Sequence, residues 1–460
     1  MGIINNLDPV QAEALRDLEG IIGKTLPLIE DRRLTAYGIK IEGNNIIELK
    51  LARFGLTKFP EPILKLKYLK SLYLGYNLLT EIPEEFSVLQ SLKKLNLRWN
   101  FISFLPVSFG DLKSLEKLNL SSNKLLALPA SFGKLESLQK LILRENQLSV
   151  LSESFFGLKS LKELNLSQNK IPSISESISN LKSLEALNLN YNILQTLPDS
   201  IVNLDSLKIL SLAGNKFKII PKTILTAILG LDSLQILDLQ DCSLTTLPDS
   251  IGSLSSLKHL RLSKNNLTAL PDSLSNLKSL ESLDLSQNDL TELSESNLNP
   301  ILKMESLQRL YLRKNKLKEL PESITNLFSL QEFYLDNNSL ISLPNSIGKL
   351  KSLQKLYLEN NKLTFLPDSF GNLESLWDLD LRDNEITQFP ESFEKLKALQ
   401  KLDARNNLLK TIPICIWPLE SLRNHYLKFD GNPLDSKSKK IIAKEVKDIL
   451  EFCREQANIK

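Results

Sequence analysis

The residues best suited to chemistry in this chain are few and scattered. It holds two histidines, His259 and His425, and three cysteines, Cys242, Cys415 and Cys453. His259 is expected near Asp238 and Asp284, yet no serine or cysteine stands beside it as a nucleophile for a base to activate. Asp380 and Asp403 are carboxylates of the type used in acid–base work or cation binding. Arg382 and Arg405 beside them make a lattice of opposite charges the simpler account. The cysteines are widely separated and odd in number, unlike a disulfide framework or a metal site. No glycine-rich phosphate loop ending in Lys-Ser or Lys-Thr is present. A non-catalytic chain with no cofactor and no metal is the expectation.

Recognition chemistry is better represented. Tyrosine, tryptophan and arginine join large contact area to a hydrogen-bonding tip, and they dominate interface anchors. Tyr311, Tyr334 and Tyr357 recur at intervals of 23 residues, followed by Trp377 and flanked by Arg313, Arg382, Asp380 and Asp403. A smaller group comprises Tyr73, Tyr76, Arg98, Trp99 and Arg144. The competing account of such tyrosines is structural, because they are good strand residues and stack on one another in a ladder.

The interval comes from a repeat. QRLYLRKNKLKELP (residues 308–321), KLNLRWNFISFLP and KLYLENNKLTFLP share the frame LxxLxLxxNxLxxLP. Numbered from its first leucine, the frame places asparagine ninth in about seventeen repeats between Phe54 and Asn432; Phe54 and Cys242 are the exceptions. Most repeats are 23 residues long, two are 27 and the last is 25. The LxLx core alternates with period two, so its leucines point one way and the intervening residues the other. One such strand cannot bury its apolar face alone, but stacked repeats build a continuous core. Positions 3, 5, 7 and 8 then line the open face. Position 5 runs from an asparagine-rich half (Asn96, Asn119, Asn165, Asn188) through alternating charge to the three tyrosines and Asp380 and Asp403.

Over nearly its whole length the chain resembles the leucine-rich repeat family. The 23-residue form with Leu-Pro after the asparagine turn is similar to the intracellular Ras-suppressor and Ras-group class, to Scribble- and Erbin-type scaffolds and to the repeat arrays of Roco proteins. The leader QAEALRDLEGIIGKTLPLIE and the first repeat IIELKLARFGLTKFP are also similar to archaeal members. The resemblance implies an α/β fold, a right-handed solenoid or horseshoe with a parallel concave β-sheet, whose asparagines hydrogen-bond the neighbouring coil. It also implies scaffolding in intracellular signalling, with a small GTPase, kinase or phosphatase as partner.

From the residues themselves, 1–45 form a helical cap and lead-in, 46–434 the solenoid and 435–460 a capping helix. Asp8-Pro9 should start the first helix, with a stripe of Val10, Leu15, Leu18 and Ile22. Ser436 should cap a helix reaching about residue 458, with Ile442, Val446, Ile449, Leu450 and Cys453 as its apolar face. The outer side of each coil is short, which favours extended or 3₁₀ backbone. The longer repeats add four residues at 222–233 and 294–306, about one helical turn, and short helices are expected there.

A net charge of +3 gives no electrostatic case for nucleic acid. No stretch reads as a secretory signal or a membrane span, and isolated cysteines suit a reducing, cytoplasmic compartment. The expected function is a protein-interaction scaffold using its concave face. A structural or self-assembling role, or an adaptor working through the C-terminal helix, are the alternatives.

Overall fold

The computed structural model describes residues 7–29, 37–217, 228–291 and 300–458. The chain divides into two units, residues 1–217 with 221–234, and residues 218–220 with 235–460.

The first unit opens with helix α1, Pro9–Ile22. Asp8 caps it by accepting hydrogen bonds from the Val10 and Gln11 amides, and Pro9 sits in its first turn, where a missing N–H costs nothing. Gly23 ends it in the left-handed conformation (φ 66°). The buried face differs from the expected stripe. Gln11, Ala12, Ala14, Leu15 and Leu18 are buried, while Val10 is exposed and Ile22 only partly covered. Gln11 is drawn inward because its side chain bonds Asn45 and accepts from the Ile46 amide at 2.7 Å. That contact ties the helix to strands β1 (Tyr37–Glu42) and β2 (Asn45–Leu51), an antiparallel pair.

From β2 onward every described pairing in the unit is parallel. Seven strands of three residues follow, from Ser71–Tyr73 to Ile209–Ser211, each one repeat after the last. The second unit repeats the arrangement from Ile236–Asp238 to Leu427–Lys428, again all parallel. Leucines at positions 4 and 6, such as Leu310 and Leu312, are wholly buried. Position 5 therefore lies on the open face, as the period-two argument requires.

Three features hold coil to coil. The first is the asparagine. Asn100 accepts from the Leu79 amide of the preceding coil at 3.0 Å and donates to that coil's Leu74 carbonyl and its own Leu97 carbonyl, each at 3.0 Å. The same three bonds recur at Asn123, Asn146, Asn361 and Asn384. A buried backbone N–H and C=O that leave the ladder are thus paired rather than orphaned.

The second is the outer side, where five-residue 3₁₀ turns such as Val107–Asp111 and Asp368–Asn372 pack on one another, as the short spacing predicts. Their buried aromatic position forms a spine: Phe86, Phe109, Phe132 and Phe155 stack with centroids 6.0, 6.1 and 6.2 Å apart. The approach is close enough that a β-carbon at Gly110 would collide with the Ser131 carbonyl of the next coil.

The third is local. Position 8 adopts positive φ in both units, including Tyr76 (59°), Trp99 (55°) and Lys314 (51°), so polar, charged and aromatic side chains occupy a region that ordinarily disfavours them.

The C-terminal cap is two helices, α2 (Ser436–Ile441) and α3 (Val446–Asn458), not the single helix expected. Asp435 rather than Ser436 is the N-cap, accepting from the Ser438 amide at 2.7 Å. Val446, Ile449 and Cys453 are buried, whereas Leu450 of the same helix and Ile442, at the end of the preceding one, are partly exposed. The helices expected at 222–233 and 294–306 lie largely outside the described residues; residues 228–229 and 300–302 are helical.

Candidate functional site

Consecutive strands in register carry Tyr311, Tyr334 and Tyr357 directly beside one another. Their rings lie nearly parallel, with centroids 4.5 and 4.8 Å apart. The Arg313 guanidinium rests 4.2 Å from the Tyr334 centroid and 5.7 Å from that of Tyr357. Its Nε is 2.7 Å from Asp336 Oδ1, a close ion pair outside hydrogen-bond geometry. The hydroxyls are held as well: Tyr334 donates to Glu332 at 2.8 Å and Tyr357 to Asp378 at 3.1 Å. Burial, then the neighbouring carboxylates, push the Tyr334 and Tyr357 phenols well above their ordinary range, and burial also raises Tyr311. Burial alone would raise Glu332, but hydrogen bonds from Lys355 and Tyr334 outweigh it and leave this carboxyl below its usual value. All three rings remain partly exposed. The result is a rigid aromatic step of three rungs with a cation laid across it.

Trp377 does not touch the tyrosines. It stands at position 2, at the edge of the strands, between the Lys355 and Lys401 ammonium groups at 5.4 and 5.1 Å. Lys401 connects the two groups, since it also pairs with Asp378 at 3.3 Å. Arg382 grips Asp380 through Nε and Nη2 and reaches Glu359 at 2.8 Å, and Arg405 grips Asp403 in the same way. Asp380 hydrogen bonding raises the already basic Arg382, and burial raises Glu359 despite that arginine. Two carboxylates in register, each clamped by its own guanidinium, have no lone pairs converging on a cation. Among the described residues no group of histidine, cysteine and carboxylate side chains is arranged to hold a metal ion.

His259 shares the open face with Asp238 and Asp284 but is not in their column. It sits at position 3, in register with Ile236 and Ser282, while Asp238 and Asp284 flank Arg261 at position 5. Burial and then the nearby Arg309 lower its basicity, the opposite of what a carboxylate partner would do. Cys242 is buried; its amide donates to Asn265 Oδ1 at 3.0 Å and its Sγ lies 3.5 Å from the Gln240 carbonyl. Burial pushes the Cys415 and Cys453 thiols up to about 12, which suppresses the thiolate that reactivity needs.

The smaller group of the first unit separates into three. Tyr76 and Trp99 stack at 5.8 Å on the rim, and Arg53 and Arg98 each lie 4.9 Å from the Tyr76 ring. They border an open groove of about 470 Å³ with Leu78, Phe101 and Lys124. Tyr73 lies instead on the open face beneath Lys50, and Arg144 bonds Gln168 at 2.7 Å.

Where position 5 is asparagine or aspartate it makes the same bond in both units. In the first unit the Asn96, Asn119, Asn165 and Asn188 Oδ1 atoms accept from the amide two residues on, at 2.9–3.1 Å. In the second unit Asp238, Asp284, Asp380 and Asp403 do the same at 2.9–3.3 Å. The free end of the side chain is an amide N–H₂ in one unit and a carboxylate oxygen in the other. Sequence reading noted this column but missed its partners at position 3, Glu332, Lys355, Asp378 and Lys401. Reading adjacent columns together for alternating sign would have found them.

Family models for the leucine-rich repeat match residues 45–102, 67–125, 103–148, 128–171, 173–217 and 232–290, and a leucine-rich repeat region model matches 283–384. The chain belongs to the leucine-rich repeat family. Among solved structures it is similar to a Leptospira interrogans leucine-rich repeat protein, 33% identical over 85% of this chain and 91% of that one, with a TM-score of 0.62. It is also similar to a TDR receptor, 28% identical over 82% of this chain and 67% of that one, TM-score 0.63. A third is the ectodomain of the Arabidopsis thaliana membrane receptor kinase GASSHO1/SCHENGEN3 in complex with CASPARIAN STRIP INTEGRITY FACTOR 2. It is 28% identical over 88% of this chain and 58% of that one, TM-score 0.55. No curated protein matches by sequence. Among the described residues no helix is long and apolar enough to cross a membrane.

Proposed function

We propose that the protein is a non-catalytic scaffold that binds a partner protein on the open, concave face of its second unit, centred on Tyr311, Tyr334 and Tyr357. The observation that carries this reading is the stack itself. Three partly exposed tyrosines are locked by one another, by Arg313 and by Glu332 and Asp378, so little rotamer freedom is lost when a partner covers them. Such preorganised aromatic and arginine surface is what interface anchors require. The GASSHO1/SCHENGEN3 ectodomain, solved in complex with CASPARIAN STRIP INTEGRITY FACTOR 2, shows a related array with a bound partner. The 23-residue repeat and the isolated cysteines favour an intracellular, cytoplasmic setting in signal transduction. A small GTPase, kinase or phosphatase is the partner class that the family resemblance supplies.

The test is affinity capture with the full chain and its Tyr311→Ala/Tyr334→Ala/Tyr357→Ala variant as paired baits, read by mass spectrometry. A partner retained by the first and lost by the second, with both melting cooperatively, is the expected result. Identical capture by the two baits removes the tyrosine step from the binding surface.

A further inference from the structure

Lys94, Lys117 and Lys140 occupy position 3 of three consecutive strands in the first unit, in register with one another. Adjacent strands lie about 4.8 Å apart, so three ammonium groups share a span of about 10 Å. Like charges set opposite one another oppose sheet stability. The second unit avoids the arrangement at this position, setting Glu332 against Lys355, Lys355 against Asp378, and Asp378 against Lys401. Lys140 is relieved by Glu163, but the exposed Lys94 and Lys117 have no ion-pair partner among the described residues.

Two more donors join them. The Oδ1 atoms of Asn96 and Asn119 accept backbone N–H groups, which settles which end of each amide faces the chain. Their Nδ2 groups are without a hydrogen-bond partner among the described residues, and both asparagines line the same open depression of about 150 Å³ with Tyr73, Leu95, Leu118 and Ile142. The row is also bounded. Position 3 reads Glu48, Ser71, Lys94, Lys117, Lys140, Glu163 in register.

We propose that this depression binds a short acidic segment of a partner protein, its carboxylates seated on Lys94 and Lys117 and receiving the Asn96 and Asn119 amides. Acidic residues three or four apart on a helix have Cβ atoms about 5–6 Å from each other, close to the strand spacing that sets the lysines. The row is closed at both ends by ion pairs, Lys50 with Glu48 and Lys140 with Glu163, so an acidic patch a few residues long fits better than the continuous phosphates of a nucleic acid. The site lies in the other unit from the tyrosine step, and either can fail alone.

Fluorescence anisotropy of a labelled hexaglutamate peptide against the full-length protein at low salt tests this. Saturable, salt-sensitive binding is expected. Asn96→Asp/Asn119→Asp keeps the backbone bond while turning donors into acceptors, and should weaken binding about tenfold or more with unchanged melting. Lys94→Gln/Lys117→Gln should do likewise, and the triple tyrosine variant should bind as the unaltered chain does. No saturable binding, or full affinity in both variants, overturns the proposal. So does equal competition by inorganic phosphate, which marks a generic anion surface, or tighter binding of a short single-stranded oligonucleotide.

Discussion

Asn119 in the first unit and Asp403 in the second occupy the same repeat position and make the same bond to the backbone two residues on. One leaves a neutral donor on the open face and the other an anion clamped by Arg405. Beside Asn119 stand Lys94 and Lys117, without an ion-pair partner among the described residues, although Lys93 and Lys140 are paired with Glu116 and Glu163. Beside Asp403 the clamp of Arg405 is joined by Arg382 with Asp380 and by Lys401 with Asp378. The first unit thus leaves two neighbouring cations unanswered on its open face, while this part of the second pairs its charges and displays aromatic surface beside them. A shared frame thus separates two tasks, with coil geometry carried by asparagine and leucine and partner chemistry by columns that the geometry leaves free.

The comparison holds only if the frame is equally strong in both units. Asn123→Ala and Asn361→Ala each remove four hydrogen bonds and orphan buried backbone groups. Each should cost about 3 kcal/mol or more in urea denaturation. Costs differing by more than about 1 kcal/mol would mean the two units are not equivalent scaffolds. Exchanging the free columns should matter less. Asp403→Asn loses a partly exposed bidentate pair and should cost about 1–2 kcal/mol, whereas Asn119→Asp should stay within about 0.5 kcal/mol. Equal and large losses at both would show that position 5 belongs to the frame after all.

Alkaline pH sharpens the contrast further. The Tyr334 and Tyr357 phenols and the Cys415 and Cys453 thiols are all raised in the folded chain. Once the unfolded chain loses these protons, the native state binds more of them, so stability falls as pH rises. Thermal melting should decline from about pH 9 as the thiols enter and steepen past about pH 10 as the phenols follow. Tyr334→Phe/Tyr357→Phe should retain more of its melting temperature at high pH; a curve identical to the unaltered chain would contradict the account. The smallest effect is chemical. Cys453 should resist alkylation at neutral pH while the chain is folded, as read by intact mass.

The periodic parts of this structure were legible because they are enforced by repetition. A leucine that must be buried in every coil and an asparagine that must bond the coil before it recur at fixed spacing, and so does the tyrosine column. What was not legible depends on neighbours in space. Position 8 carries no signature residue for its left-handed backbone, because the turn is imposed by the coils on either side. The pairings of Lys355 with Glu332 and Lys401 with Asp378 join residues 23 apart in sequence, and only their columns read side by side reveal them. His259 shares the open face with Asp238 and Asp284 but stands two positions from their column, and its charge environment is set by Arg309 instead, which only the strand register reveals. The stripe of α1 held at Leu15 and Leu18 but not at Val10 and Ile22, and the buried face turned toward Gln11, whose amide found two partners in the following hairpin.

Each asparagine reaches back to the coil before it: Asn100 serves Leu79 and Leu74, and Asn123 serves Ile102 and Leu97. The fastening therefore has a direction. A coil leaving the ribosome cannot close on its own; it is latched by the asparagine of the coil made after it. At every moment of synthesis the newest coil stands open, and an array broken off at its C-terminal end leaves one coil unlatched, whereas one trimmed at its N-terminal end bares the leucines of its first coil but keeps that coil latched.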